Sequence, residues 1–202
     1  WETLARSIVY IEGERGSEAW SGSGSLIIDG SYILTNFHVA PGSDGVYSVF
    51  FTESFDKEPD EGYSAEFVVG DEANDLAILQ ILDSNGEPKK AGDRSIIRPT
   101  NSDPALNEEI TIIGYPGVGF SSTEITMTIT KGSYSGKIED KGEYFKTDGM
   151  LSGGVSGGAA FNSKGAFIGV PSAGYSDDKS NASIGLIKPS RFAVELISKV
   201  KP

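Results

Sequence analysis

Three residues carry side chains that could together break an amide bond: His38, Asp75 and Ser156. Ser156 stands in Ser152-Gly153-Gly154-Val155-Ser156-Gly157-Gly158. A serine nucleophile needs its hydroxyl clear of the backbone, and free N–H groups converging on one point to hold an oxyanion. Glycines on both sides permit a tight, open turn at little steric cost. The bland alternative is a flexible Gly/Ser turn, of which Gly22-Ser23-Gly24-Ser25 would be a second example. His38 is the only histidine and follows the apolar run Ile33-Leu34-Thr35. Alone it reads equally as a structural residue. Asp75, at the mouth of Leu76-Ala77-Ile78-Leu79, alone reads as a turn residue or cap. As a set the three divide the labour of acyl transfer. Ser156 attacks a carbonyl carbon. His38 takes the hydroxyl proton and returns it to the leaving amine. Asp75 fixes the imidazole tautomer and stabilises the imidazolium. The N–H groups of Ser156 and Gly154 would form the oxyanion hole. His38 and Asp75 fall in the first half of the chain and Ser156 in the second, so the site would lie in a cleft between two halves.

Composition removes several other classes of function. The chain has 202 residues, 38% hydrophobic and 23% charged, an ordinary globular composition. It has no cysteine, which excludes disulfides, thiolate metal sites and cysteine nucleophiles. One histidine excludes a histidine-based metal cluster within one chain, so neither metal nor cofactor is expected. A formal charge of −12 opposes binding to nucleic acid or to an anionic membrane surface. No apolar run approaches the ~20 residues of a membrane span, so no membrane insertion is expected. The chain begins at Trp1 and shows no signal peptide, which predicts a mature or trimmed domain.

The elements that must position these residues are short and apolar. Ser7–Glu12, Ser25–Ile28, Tyr32–Thr35, Val46–Thr52, Ala65–Val69 and Leu76–Ile81 read as strands. Gly13–Ser17 reads as a turn, Asp29-Gly30 as a hairpin, and the acidic stretch Asp56–Glu61 as a solvated loop. Asp83–Asp103, rich in Pro and Gly, reads as the connector between halves. Ile110–Ile113, Ile125–Thr130, Gly132–Ile138, Tyr144–Thr147, Ala159–Asn162, Ala166–Val170 and Ser183–Ile187 continue the series. Ile125–Thr130 alternates apolar with threonine and predicts a half-buried strand. Only the end reads as helix, over about 190–200, with Ser190 as N-cap. A dozen strands and one terminal helix predict an all-β barrel or sandwich, with halves alike in shape and without a sequence repeat.

The chain resembles trypsin-fold serine proteases, and more closely the bacterial HtrA/DegP type. Gly22–Ile28 with Ile33–Val39 resembles the strand pair that presents the histidine. Asp71–Leu79 resembles the aspartate segment, and Ile113-Gly114-Tyr115-Pro116-Gly117 the opening of the second half. Thr147-Asp148 through Gly158, followed by Gly165–Val170, resembles the nucleophile loop and the strand after it. The resemblance implies two six-stranded antiparallel β-barrels, 1–95 with His38 and Asp75 and 96–202 with Ser156. It implies a serine endopeptidase acting on unfolded or extended polypeptides, periplasmic or secreted, homotrimeric, and in many members followed by a PDZ domain. Trypsin-like enzymes place an acid six residues before the serine, on the floor of the primary pocket; here that residue is Met150, followed by Leu151. Ser172-Ala173-Gly174 resembles the strand that pairs with substrate backbone. The expected pocket is therefore apolar, with preference for small or medium aliphatic residues unless Asp148 or Asp177 reaches it. Two departures stand beside the nucleophile: Val155, where the family has Asn or Asp, and Ala159, where it has Pro. Val155 cannot pair with a new N-terminal ammonium, so activation by zymogen cleavage is not expected and loop ordering is. Two other readings are a catalytically weak member serving as a peptide- or protein-binding module, and a protease like the glutamyl endopeptidases and exfoliative toxins. The latter commonly use a second histidine, which this chain lacks.

Overall fold

Runs such as Ile8-Val9-Tyr10-Ile11 and Leu76-Ala77-Ile78-Leu79 are apolar at every position because both faces of their strands are covered. In a computed structural model, described here for residues 1–117, 125–139, 142–177 and 182–200 and for the backbone alone at 173–177 and 182–183, the two faces serve two different cores. Val9, Ile11, Ala77 and Leu79 fill the inside of a first barrel. Ile8, Tyr10, Leu76 and Ile78 face outward, against Ile113, Tyr115, Phe161, Phe167 and Val170 of a second. The inside of the second barrel holds Ile110, Ile112, Tyr134, Phe145, Val155, Ile168 and Ile187. Side chains alternate across a strand, so a strand shared by two cores shows no polar positions.

The first barrel comprises β1 (Ile8–Arg15), β2 (Glu18–Ile27), β3 (Tyr32–Thr35), β4 (Val46–Phe51), β5 (Glu61–Asp71) and β6 (Leu76–Leu82). It closes in the order β1-β2-β3-β6-β5-β4. The second comprises β7 (Glu109–Gly114), β8 (Thr128–Ile138), β9 (Tyr144–Thr147), β10 (Ala159–Asn162), β11 (Phe167–Asp177) and β12 (Ala182–Pro189), closing as β10-β11-β12-β9-β8-β7. Every pairing is antiparallel. Helix α1 (Glu2–Ala5) precedes the first barrel, and α2 (Ser190–Ile197) lays Ala193 and Leu196 into the core between barrels.

The structure departs from the sequence reading at several elements. Gly22–Ser25 is not a turn; it lies inside β2, paired residue for residue with Ile8–Ile11. Ile125–Thr130 is not one alternating strand. The strand begins at Thr128 and runs unbroken into the segment expected as a separate strand, and Ile129 is 38% exposed. Ser190 is not the N-cap: Pro189 holds that position, and the Ser190 hydroxyl accepts the Thr100 N–H at 2.8 Å instead. The helix ends at Ile197, and α1 was not expected. Glu61 belongs to β5 rather than to a solvated loop, and its carboxylate accepts from Arg94 Nη2 at 2.7 Å.

Candidate active site

His38 lies in the turn that follows β3, where the N–H groups of Val39 and Ala40 both return to the Asn36 carbonyl at 3.1 Å. Asp75 closes the turn between β5 and β6. Its backbone is left-handed, φ 52°, a region Asp tolerates better than most residues. The Asn36 side-chain amide donates to the Asp75 carbonyl at 2.8 Å and ties the two turns together. The Asp75 carboxylate then faces His38 squarely. Oδ1 accepts the His38 backbone N–H at 3.0 Å, and Nδ1 lies 2.9 Å from both carboxylate oxygens. A carboxylate only accepts, so Nδ1 carries a proton, and in the neutral imidazole the lone pair falls on Nε2. The His38 side chain is 51% exposed and that of Asp75 19%. Burial pushes the Asp75 carboxyl up, but the hydrogen bonds from His38 and Ser172 and the His38 charge outweigh it, and the group titrates below its ordinary value.

Ser172 was expected on the strand that pairs with substrate backbone, and its side chain turns toward Asp75. It is the extra residue at a register shift between Pro171 and Ala173, buried, with its hydroxyl donating to Asp75 Oδ2. The bulge turns its carbonyl the opposite way, where it accepts the Ser156 hydroxyl at 2.6 Å. One residue thus touches both Asp75 and Ser156. Among the described residues the Ser156 hydroxyl makes this bond and not one to His38.

The loop that carries Ser156 is built against β2. Ser23 N donates to the Ser156 carbonyl and Ser23 Oγ to the Gly154 carbonyl, both at 2.8 Å, while Tyr115 N donates to Ser23 Oγ at 2.8 Å. Ser25 Oγ reaches the Gly158 carbonyl at 3.3 Å. Gly154 and Gly157 have φ of 90° and 87°, and a Cβ on Gly157 would stand 2.1 Å from the Ser23 carbonyl oxygen. Among the described residues no acceptor takes the N–H of Gly154 or Ser156. Val155 points into the second barrel's core.

Met150, expected on the pocket floor, is 71% exposed, and its carbonyl accepts from Thr130 Oγ1. Leu151 is half-buried against the second barrel's core, and a Cβ on Gly185 would meet its Cδ1 at 3.0 Å. Ala173 and Gly174 pair through their backbones with Leu186 and Gly185 on β12. The side chain of Asp177 lies outside the described residues. Asp148 accepts the Ser133 N–H at 2.6 Å and so caps the irregular stretch of β8. Among the described residues no group of three His, Cys, Asp or Glu side chains is placed to hold a metal ion. Sequence reasoning missed Ser23, Asn36 and the roles of Ser172; the signal for Ser23 was present in the Gly-Ser-Gly-Ser spacing but reads equally as a turn.

Residues 22–170 match the family of trypsin-like peptidase domains. The chain is 29% identical to a probable periplasmic serine protease, do/HhoA-like, of Haemophilus influenzae, covering 98% of this chain and 43% of that protein. It is 32% identical to a glutamyl endopeptidase of Staphylococcus epidermidis, over 89% of this chain and 62% of the relative. The crystal structure of the serine endoprotease from Yersinia pestis superposes with a TM-score of 0.76 at 24% identity, covering 98% of this chain and 63% of the other. The chain therefore spans less than half of the first relative and under two thirds of the others. Two closed six-stranded barrels and a family match over residues 22–170 lead to one conclusion: the chain belongs to the trypsin-like serine peptidases, with relatives of the HtrA/DegP type.

Proposed function

We propose that the chain is a serine endopeptidase that cleaves unfolded or extended polypeptides, with Ser156 as nucleophile, His38 as base and Asp75 as the residue that orients it. The observation that carries the reading is the grip of one carboxylate on both Nδ1 and the backbone N–H of His38, while the same carboxylate connects through Ser172 to the Ser156 hydroxyl. Nε2 is left with its lone pair, as a general base requires. The unclaimed N–H groups of Gly154 and Ser156 would receive the oxyanion.

In the resting arrangement the Ser156 hydroxyl is spent on the Ser172 carbonyl. A substrate strand that adds to Ser172–Gly174 offers its own N–H to that carbonyl and releases the hydroxyl to turn toward His38. Attack then gives a tetrahedral intermediate, His38 passes its proton to the leaving amine, and water repeats the cycle on the acyl-enzyme. Leu151 would form an apolar wall of the primary pocket, favouring aliphatic residues; exposed Met150 would not. The periplasmic name of the Haemophilus relative supports an extracytoplasmic setting.

A fluorophosphonate probe and casein test the reading together. Labelling and cleavage by the parent chain, and neither by Ser156→Ala, are expected. No labelling would leave a peptide-binding module. The likeness to a glutamyl endopeptidase favours a second specificity: a majority of casein cuts after Glu would establish it in place of the aliphatic one.

A further inference from the structure

Lys188 is a buried cation that the proposed chemistry does not use. It lies on β12, where Ile187 enters the second barrel's core and Lys188, on the opposite face, enters the interface between barrels. Its side chain is fully buried. Nζ donates to the Glu143 carbonyl at 3.0 Å and lies 3.6 Å from the centroid of the Tyr144 ring and 5.2 Å from that of Phe192 on α2. Among the described residues it has no salt bridge. An ammonium taken out of water onto one carbonyl and two rings is costly unless opposite charge is near.

That charge comes from the first barrel. Asp71 and Asp75, at the two ends of the β5–β6 turn, attract Lys188, as does Glu143, while Arg191 of α2 opposes it. Burial pushes the Lys188 ammonium down from its ordinary value and these acids draw it back. Gly142 makes the approach close. A Cβ there would stand 3.3 Å from Lys188 Nζ and 3.8 Å from the carbonyl oxygen of Ala73, two residues before Asp75. The Tyr144 hydroxyl is pushed up, first by burial and then by the Asp75 charge.

We propose that Lys188 is a positioning residue for the His38–Asp75 pair, its ammonium, buried on the Tyr144 ring beside the β5–β6 turn, opposing the Asp75 charge. It touches no substrate and acts through Asp75 on the imidazole. Without the ammonium, the Asp75 charge acts on His38 unopposed, the imidazolium is favoured, and the base is lost to protonation at higher pH. Its consequence for hydrolysis rests on the function proposed above; its effect on His38 does not.

The chain has one histidine, so one imidazole Hε1 signal reports on the pair by NMR with or without activity. Lys188→Met removes the charge and keeps the packing. Lys188→Gln removes the charge and keeps a donor for the Glu143 carbonyl, and serves alone if the Met variant does not fold. Lys188→Arg restores the charge. In both neutral variants the pH midpoint of the imidazole signal is expected to rise by at least about half a unit, and in Lys188→Arg to return toward the parent. The acid limb of fluorophosphonate labelling should move by the same interval. Coincident titration curves for the parent and the neutral variants would overturn the proposal, as would a midpoint changed in Met but not in Gln. A parent chain that never takes the probe defeats the hydrolase reading alone, since the NMR comparison still decides on Lys188.

Discussion

Asp75 accepts from three donors, the backbone and the ring of His38 and the hydroxyl of Ser172, and each favours its charged form. Its carboxyl is held below the unfolded value of about 3.9, so the stabilisation is fully present above that pH and is lost as pH falls through the lower folded value. Asp75→Asn should therefore lower the urea midpoint near neutrality, and the gap between variant and parent should close as pH falls below about 4. A gap that persists in acid would contradict the depressed titration. For catalysis, Ser156→Ala and His38→Ala should each lower kcat on casein-derived peptides by roughly 10⁴-fold or more, and the double variant by little further, because the residues act as a unit. His38, Asp75 and Ser156 were legible as candidates because residue type and flanking glycines single them out, and the structure brings His38 against Asp75. Ser172 was legible only as a strand residue. Whether a serine in a strand points its hydroxyl at a pocket or at an aspartate depends on a one-residue bulge, which spacing does not reveal.

At the level of elements, β2 is the template for the loop that carries Ser156. Ser23→Ala should leave the Tyr115 N–H and the Gly154 carbonyl without partners, costing about 1–3 kcal/mol in urea unfolding and slowing probe labelling. Gly157→Ala combines a left-handed backbone, worth about 1–3 kcal/mol by itself, with a Cβ set into the Ser23 carbonyl. It should abolish labelling while the far-ultraviolet circular dichroism of the barrels survives. Loss of all secondary structure would mean that the loop supports the barrels rather than the reverse. Strands buried on both faces, such as β1, β6, β7 and β10, were legible as apolar runs. The starts of β2 and β5 were not, since Glu18–Gly22 and Glu61–Ser64 carry charged, glycine and serine residues that read as loop. Pairing across a closed barrel overrode that local preference. The Ser190 cap failed because a tertiary partner, Thr100, claimed the hydroxyl.

For the whole molecule, the all-β class and two similar halves followed from strand count and a central connector, and two barrels from the family resemblance, whereas the existence of a third core between the barrels did not, because which apolar residues face which core depends on closure. No cysteine is present and the single histidine is held by Asp75, so EDTA should leave probe labelling unchanged; loss restored by a divalent cation would point to a carboxylate site outside the described residues. The bonds that hold the Ser156 loop are also very long-range: Ser23 with Gly154 and Ser25 with Gly158 lie 131 and 133 residues apart. Contacts of that separation form late, after each barrel has closed its own nearer pairings. Trp20, whose indole donates to the Val39 carbonyl inside the first barrel, reports the earlier event. In a Trp1→Phe background, refolding from urea should return Trp20 fluorescence before it returns probe labelling. Simultaneous recovery would show that the loop takes its shape without waiting for the two barrels to meet.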